Sequence, residues 1–238
     1  MSSVFELRRY TLHPGKRDAL IDLFEREFVE SQEEAGIRLV GQFRDRDRPD
    51  MFVWLRGFPD MEARRLALGA FYKGPVWKAH RDAANATMID SDNVLLLRPS
   101  TASEFAVPQS PRAPAGATER PRSLVTATIY DLREPAGPAF VRFFEERVAP
   151  PMTRFGARPI AYFETETAEN SYPDLPVRSG ENTFVWFAIF EDAAQHDRHV
   201  DSLARSAEWN DVLPELNAWL NAPASVLRLE PTERSQLR

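Results

Sequence analysis

The stretch Met51-Phe52-Val53-Trp54-Leu55-Arg56-Gly57-Phe58 recurs as Thr183-Phe184-Val185-Trp186-Phe187-Ala188-Ile189-Phe190. This internal repeat constrains the chain more than any other feature, because it makes two related units out of one polypeptide. Each copy is followed by an Asp, Asp60 or Asp192, at a position suited to cap a helix. Upstream, Tyr130, Phe144, Gly156 and Phe163 lie 120 positions after Tyr10, Phe24, Gly36 and Phe43. Downstream the offset is 132, pairing Trp54 with Trp186, Trp77 with Trp209, Asn85 with Asn217 and Leu95 with Leu227. The two offsets differ by 12, so the second unit carries a 12-residue insertion between its second and third strands, within residues 164–182.

Within the first unit, Val4 to Thr11 alternates with period two, Phe5, Leu7 and Arg9 on one face and Glu6, Arg8 and Tyr10 on the other. From Lys16 to Ala35 the apolar residues Leu20, Leu23, Phe24 and Phe28 recur at helical spacing, with Gly36 at the cap position. Strands are predicted over Ile37 to Phe43 and Met51 to Gly57. A helix follows from Asp60 to about Leu68, broken by Gly69 and Gly74-Pro75, then a helix over Val76 to Ala86 and a strand over Val94 to Leu97. The order βαββαβ is the ferredoxin-like arrangement. Residues 100–121, rich in Pro, read as an extended linker between a domain at 1–99 and a second at 122–238.

A ferredoxin-like sheet with helices on one face leaves its other face bare, and that face must be covered. Two copies in one chain can cover each other. The expected fold class is therefore α+β, with tandem ferredoxin-like domains closing an intrachain α+β barrel.

Composition narrows the function classes. A net charge of -6 disfavours a nucleic-acid phosphate backbone as the main partner. The absence of cysteine removes disulfides, thiolate metal sites and a Cys nucleophile, and fits a reducing, cytoplasmic setting. No apolar run reaches the roughly 20 residues of a membrane span, and the N-terminus enters a strand pattern without a targeting signal.

Glu6-Leu7-Arg8-Arg9-Tyr10, Pro14-Gly15, the Phe52-Val53-Trp54 strand, an Arg early in the second helix at Arg64 or Arg65, and Trp77 together resemble the NIPSNAP family of the dimeric α+β-barrel superfamily. The segment Asn170-Ser171-Tyr172-Pro173-Asp174-Leu175-Pro176-Val177-Arg178 resembles a loop of its two-domain bacterial members. The resemblance implies the barrel fold and leaves the reaction open, since the superfamily includes haem enzymes, cofactor-independent monooxygenases, isomerases and cyclases.

Among the residues, Glu6, Arg8 and Tyr10 are the catalytic candidates: if Phe5 and Leu7 pack under the helices, these three point into the barrel interior. There they would polarise a carbonyl or carboxylate ligand, with Glu6 as proton acceptor. The competing reading is an ion pair bridging the two sheets. The second unit has Thr126, Thr128 and Tyr130 at these positions, which places the site in the first unit. Trp54, Arg56, Tyr72, His80, Tyr130, Arg178 and Trp186 are the substrate-binding candidates, with Arg178 presented by the inserted loop folded over a barrel mouth. His196 and His199 lack an evident third ligand, so no metal site is expected. His80 leaves haem as a minor alternative to a protein without a tightly bound cofactor. The functional expectation is a small organic ligand in the barrel cavity, its alternative a non-catalytic scaffold, and association into a homodimer is expected.

Overall fold

The computed structural model describes residues 3–100, 105 and 111–238. In the first half, β1 (Val4–Leu12) leads to α1 (Arg17–Leu23), which runs through a π-helical turn at Phe24–Phe28 into α2 (Val29–Glu34). Then come β2 (Arg38–Asp45), β3 (Met51–Phe58), α3 (Met61–Tyr72), α4 (Pro75–Asn85), a short β4 (Met88–Asp90) and β5 (Val94–Pro99). The second half repeats the order: β6 (Leu124–Asp131), α5 (Pro138–Phe143), a π-helical turn at Phe144–Val148, α6 (Ala149–Arg154), β7 (Ala161–Thr165), β8 (Thr183–Phe190), α7 (Ala193–Ala204), α8 (Ala207–Trp219) and β9 (Ser225–Pro231).

Local chemistry explains the boundaries. Asp60 caps α3 by accepting from the Ala63 N–H at 2.7 Å, and Asp192 caps α7 by accepting from Gln195 N–H at 2.7 Å. Gly36 and Gly156 end their helices in the left-handed region, at φ 92° and 101°. Both π-helical turns fall 120 residues apart, so even this uncommon widening was copied with the unit. Two expectations need correction. Gly69 sits inside α3 rather than ending it, because the helix continues to bury Phe71. The strand β4 was not anticipated; its three residues extend the edge of β1.

The strands run β3-β2-β9-β6-β8-β7-β5-β1, and β1 pairs again with β3, so eight of them close a barrel while β4 adds to β1. The seams between halves are β2 with β9 and β5 with β7. The chain thus closes its own α+β barrel.

Inside the barrel lie Phe5, Leu7, Val53 and Leu55 from the first half and Val125, Phe163, Val185 and Phe187 from the second, in one apolar cluster. Leu237 of the C-terminal tail joins them, its N–H bonded to Val40 O at 2.9 Å. An eight-stranded barrel is just wide enough for side chains to fill, and medium-sized apolar residues fill this one. The opposite faces of the two sheets pack against the helices in two separate cores.

Of the expected linker at 100–121, residues 101–104 and 106–110 lie outside the described residues. The part that is described is anchored: Arg112 donates to Glu33 Oε1 at 2.6 Å and to Leu39 O at 2.9 Å. No helix among the described residues is long and apolar enough to cross a membrane.

Candidate functional site

Strand register decides where the charged residues go. Phe5 and Leu7 face the barrel interior, so Glu6, Arg8 and Tyr10 face the helices, the reverse of the orientation expected from alternation alone. The barrel interior, closed on itself and lined by apolar atoms, offers no partner for an ion; the layer under the helices offers side-chain amides and loop groups. The candidate site is therefore not in the barrel cavity, and the Glu6–Arg8 ion pair does not bridge the two sheets.

Across the sheet, Glu6 stands opposite Arg56, Arg8 opposite Trp54 and Tyr10 opposite Phe52. Three guanidiniums converge on the one carboxylate. Arg8 Nη1 donates to Glu6 Oε2 at 2.7 Å, Arg56 Nε to the same oxygen at 2.8 Å, and Arg64 Nε to Oε1 at 2.6 Å. All four side chains are essentially fully buried. Arg8 Nε also donates to the Tyr10 hydroxyl at 3.1 Å, and Arg56 Nη1 to Gln32 Oε1 at 3.2 Å. The guanidinium of Arg56 lies 4.8 Å from the Trp54 ring centroid and 6.0 Å from that of Tyr72, contacts that offset part of the cost of burying a cation.

The balance of charge is unequal. Three arginines face one carboxylate, and no other carboxylate among the described residues pairs with them. Burial works to raise the Glu6 carboxyl, yet the Arg56, Arg8 and Arg64 guanidiniums hold it well below the usual carboxylate range. Glu6 is thus a fixed anion, and the proton-acceptor role expected of it does not suit these surroundings. Arg64 Nη2 and Trp54 Nε1 are buried without a hydrogen-bond partner among the described residues, and Arg56 Nη2 reaches Glu6 Oε2 at 2.7 Å without the alignment of a hydrogen bond.

The inserted loop of the second half covers this centre. Arg64 Nη1 donates to Asn170 Oδ1 at 2.9 Å and to Ser171 Oγ at 3.1 Å, and Tyr172 stacks on Tyr72 with ring centroids 6.3 Å apart. The expected contributor from this loop, Arg178, pairs with other groups: it donates to Glu181 Oε1 at 2.7 Å and to Asn93 Oδ1 at 3.3 Å. Beside the centre, Tyr10, Trp54, Phe71, Tyr72, Trp77 and Met88 contribute to an aromatic cavity of about 30 Å³.

His80 stands on α4 with Nε2 3.4 Å from Glu27 Oε2. Its helix borders the aromatic cavity of about 30 Å³ through Trp77 and Ala84, and His80 itself does not line that cavity. Tyr130 and Trp186 are not at the first-half centre; they line a separate cavity in the second half. No group of three or more His, Asp or Glu side chains placed to hold a metal is found among the described residues.

Sequence reasoning missed Gln32, Arg64, Asn170 and Ser171 as site residues. Arg64 was within reach: it shares the i, i+3, i+4, i+7 stripe of Ala67, Leu68 and Phe71, the buried face of α3. The approach of Asn170 and Ser171 depends on a contact 106 residues long in sequence, for which no local signal exists.

Comparison with known proteins agrees with this architecture. The NIPSNAP family model matches residues 5–104. No curated protein matches the chain in sequence. A protein of Fusobacterium nucleatum provisionally described as a monooxygenase superposes over 97% of this chain and 92% of its own, at 11% identity and TM-score 0.59. An anthrone oxidase-like protein superposes over 98% and 92%, at 12% identity and TM-score 0.57. A NIPSNAP-like domain protein of Burkholderia xenovorans covers 48% of this chain and 93% of its own, at 25% identity and TM-score 0.39. The two longer matches establish a shared fold over the whole chain.

Proposed function

Taking residues 5–104 as a NIPSNAP unit, we propose that the protein binds a small organic acid, or the enolate of a carbonyl compound, at the three-arginine centre, without a tightly bound cofactor. The observation that supports this is the charge imbalance: three buried guanidiniums share one carboxylate, and Arg64 Nη2 has no hydrogen-bond partner among the described residues. A buried excess of positive charge is costly to keep, and an incoming anion relieves it. Glu6 orients the arginines, Tyr10 and Trp54 present a hydroxyl and an indole N–H beside them, and the Asn170-Ser171 loop must lift from Arg64 to admit the ligand.

Such a centre stabilises the anion formed when a proton is removed next to a carbonyl. That is the step shared by oxygenation of an enolisable ring, isomerisation and cyclisation, and the fold neighbours described as a monooxygenase and as anthrone oxidase-like belong with the first of these. A second reading, a non-catalytic scaffold, is favoured by two observations: the barrel interior is filled and the cavity beside the centre is small.

Thermal melting with acetate and benzoate, each against its matched amide, separates the two. The acids raise Tm, the amides do not, and Arg56→Met or Tyr10→Phe weakens the response while the protein still melts cooperatively. Equal responses to acid and amide, or none to either, favour the scaffold.

A further inference from the structure

We infer that the second half holds its own ligand site, and that this site takes an uncharged single-ring compound bearing a hydroxyl, such as a phenol. The duplication places it where the three-arginine centre lies in the first half. Thr128 stands opposite Trp186 as Arg8 stands opposite Trp54, and Thr126 opposite Ala188 as Glu6 stands opposite Arg56. At the offsets of 120 and 132, Met152 replaces Gln32 and His196 replaces Arg64.

Every charged member of the first centre thus has a neutral or smaller counterpart, and the consequence is space. A cavity of about 160 Å³ opens between the sheet and α6, α7 and α8, against about 30 Å³ beside the first-half centre. An apolar cavity of about 150 Å³ is enough to hold benzene. Its mouth is marked by Val200 and Val226, each 47% exposed, while the side chains deeper in are buried.

The polar atoms of the cavity set the chemistry of the ligand. No Asp, Glu, Lys or Arg lines it; its polar groups are the hydroxyls of Thr126, Thr128 and Tyr130, the rings of His196 and His199 and the buried indole N–H of Trp186. His199 Nδ1 is 2.9 Å from Phe155 O, a pure acceptor, so Nδ1 carries the proton and Nε2 keeps its lone pair. His196 Nδ1 makes only a long 3.4 Å contact to Asp197. Burial pushes both imidazoles below their ordinary pKa, which keeps them neutral near pH 7. A neutral acceptor at one end of an apolar slot selects a ligand O–H and rejects a carboxylate, which would be buried there without a counter-charge.

Isothermal titration and Trp fluorescence with phenol, toluene and benzoate test this. Phenol is expected to bind at one site per chain, about fivefold more tightly than toluene, the worth of one net hydrogen bond, and benzoate is not expected to compete with it. His199→Phe should erase the preference for phenol over toluene while toluene still binds. Val226→Trp, at an exposed rim position that tolerates bulk, should block both. Arg56→Met should leave phenol binding unchanged, which separates this site from the anion centre of the first half. Absence of phenol binding, equal affinity for phenol and toluene, or phenol binding untouched by both second-half substitutions overturns the assignment.

Discussion

Glu6 shows how one side chain can hold a site together without reacting in it. Its two oxygens bind three guanidiniums in a fully buried position, so removing its charge leaves three cations facing one another. Glu6→Gln should therefore cost about 3–5 kcal/mol in urea unfolding at pH 7, the range for breaking a buried ion pair from one side. Because the folded pKa of Glu6 lies below the reference value of 4.5, its contribution is fully present above that value and is lost as the pH falls toward the folded pKa. The gap between wild type and Glu6→Gln should accordingly narrow between pH 5 and the acid limit of folding. A gap unchanged by acid would mean that the charge of Glu6 is not what stabilises the fold. His196 and His199 act with the opposite sign of charge. Their folded pKa values lie below the reference value of 6.5, so the unfolded chain takes up protons first and stability declines as the pH drops through that value. Replacing both with Leu should flatten the loss of stability between about pH 7 and pH 5 relative to wild type, as read from the urea midpoint.

Among the elements, the loop between β7 and β8 does what its length suggests, but at another address. It was expected to cap a barrel mouth and present Arg178; it packs instead across α3, with Asn170 and Ser171 on Arg64 and Tyr172 on Tyr72. Asn170→Ala combined with Ser171→Ala removes both acceptors from Arg64, together with the loop's own bonds from Tyr172 N–H to Asn170 Oδ1 at 3.1 Å and from Asn170 Nδ2 to Leu175 O at 2.9 Å, and leaves Glu6 on Arg64. Amide exchange of residues 170–176 should then quicken at least tenfold, a loss of about 1.4 kcal/mol or more as expected for hydrogen bonds to a charged group, while amides of β1 and β3 stay protected. Uniform quickening in strands and loop alike would show that the loop supports the whole fold rather than covering a site. The strand β3 and its copy β8 carry a related lesson. Their shared Trp residues lie in two different helix-side cores, one filled by charged groups and one partly empty.

For the whole molecule, barrel closure joins the halves through β2 with β9 and β5 with β7. Each half alone would expose its share of the apolar interior, Phe5, Leu7, Val53 and Leu55 in the first. Residues 1–100 expressed separately should therefore self-associate, as measured by light scattering after size exclusion, since an exposed apolar sheet face of this kind seeks a partner. A soluble monomer would mean that closure is not what buries this face. The duplication, the βαββαβ order and the helix caps were legible in the sequence, because offsets, periodicity and Asp or Gly at helix ends are local signals that survive without any tertiary contact. Which face of β1 looks inward was not legible. Alternation gives two faces and no sign between them, and here the sign is set by the other half, whose apolar strands fill the barrel and leave Glu6, Arg8 and Tyr10 to the side where Gln32, Arg56, Arg64 and the loop can pair with them. The sequence by itself therefore determined that two related units exist and what residue types each contributes. Only the tertiary structure decided where the charge is buried and where space is left, because both depend on contacts between residues far apart in sequence, 106 positions for Arg64 with Asn170.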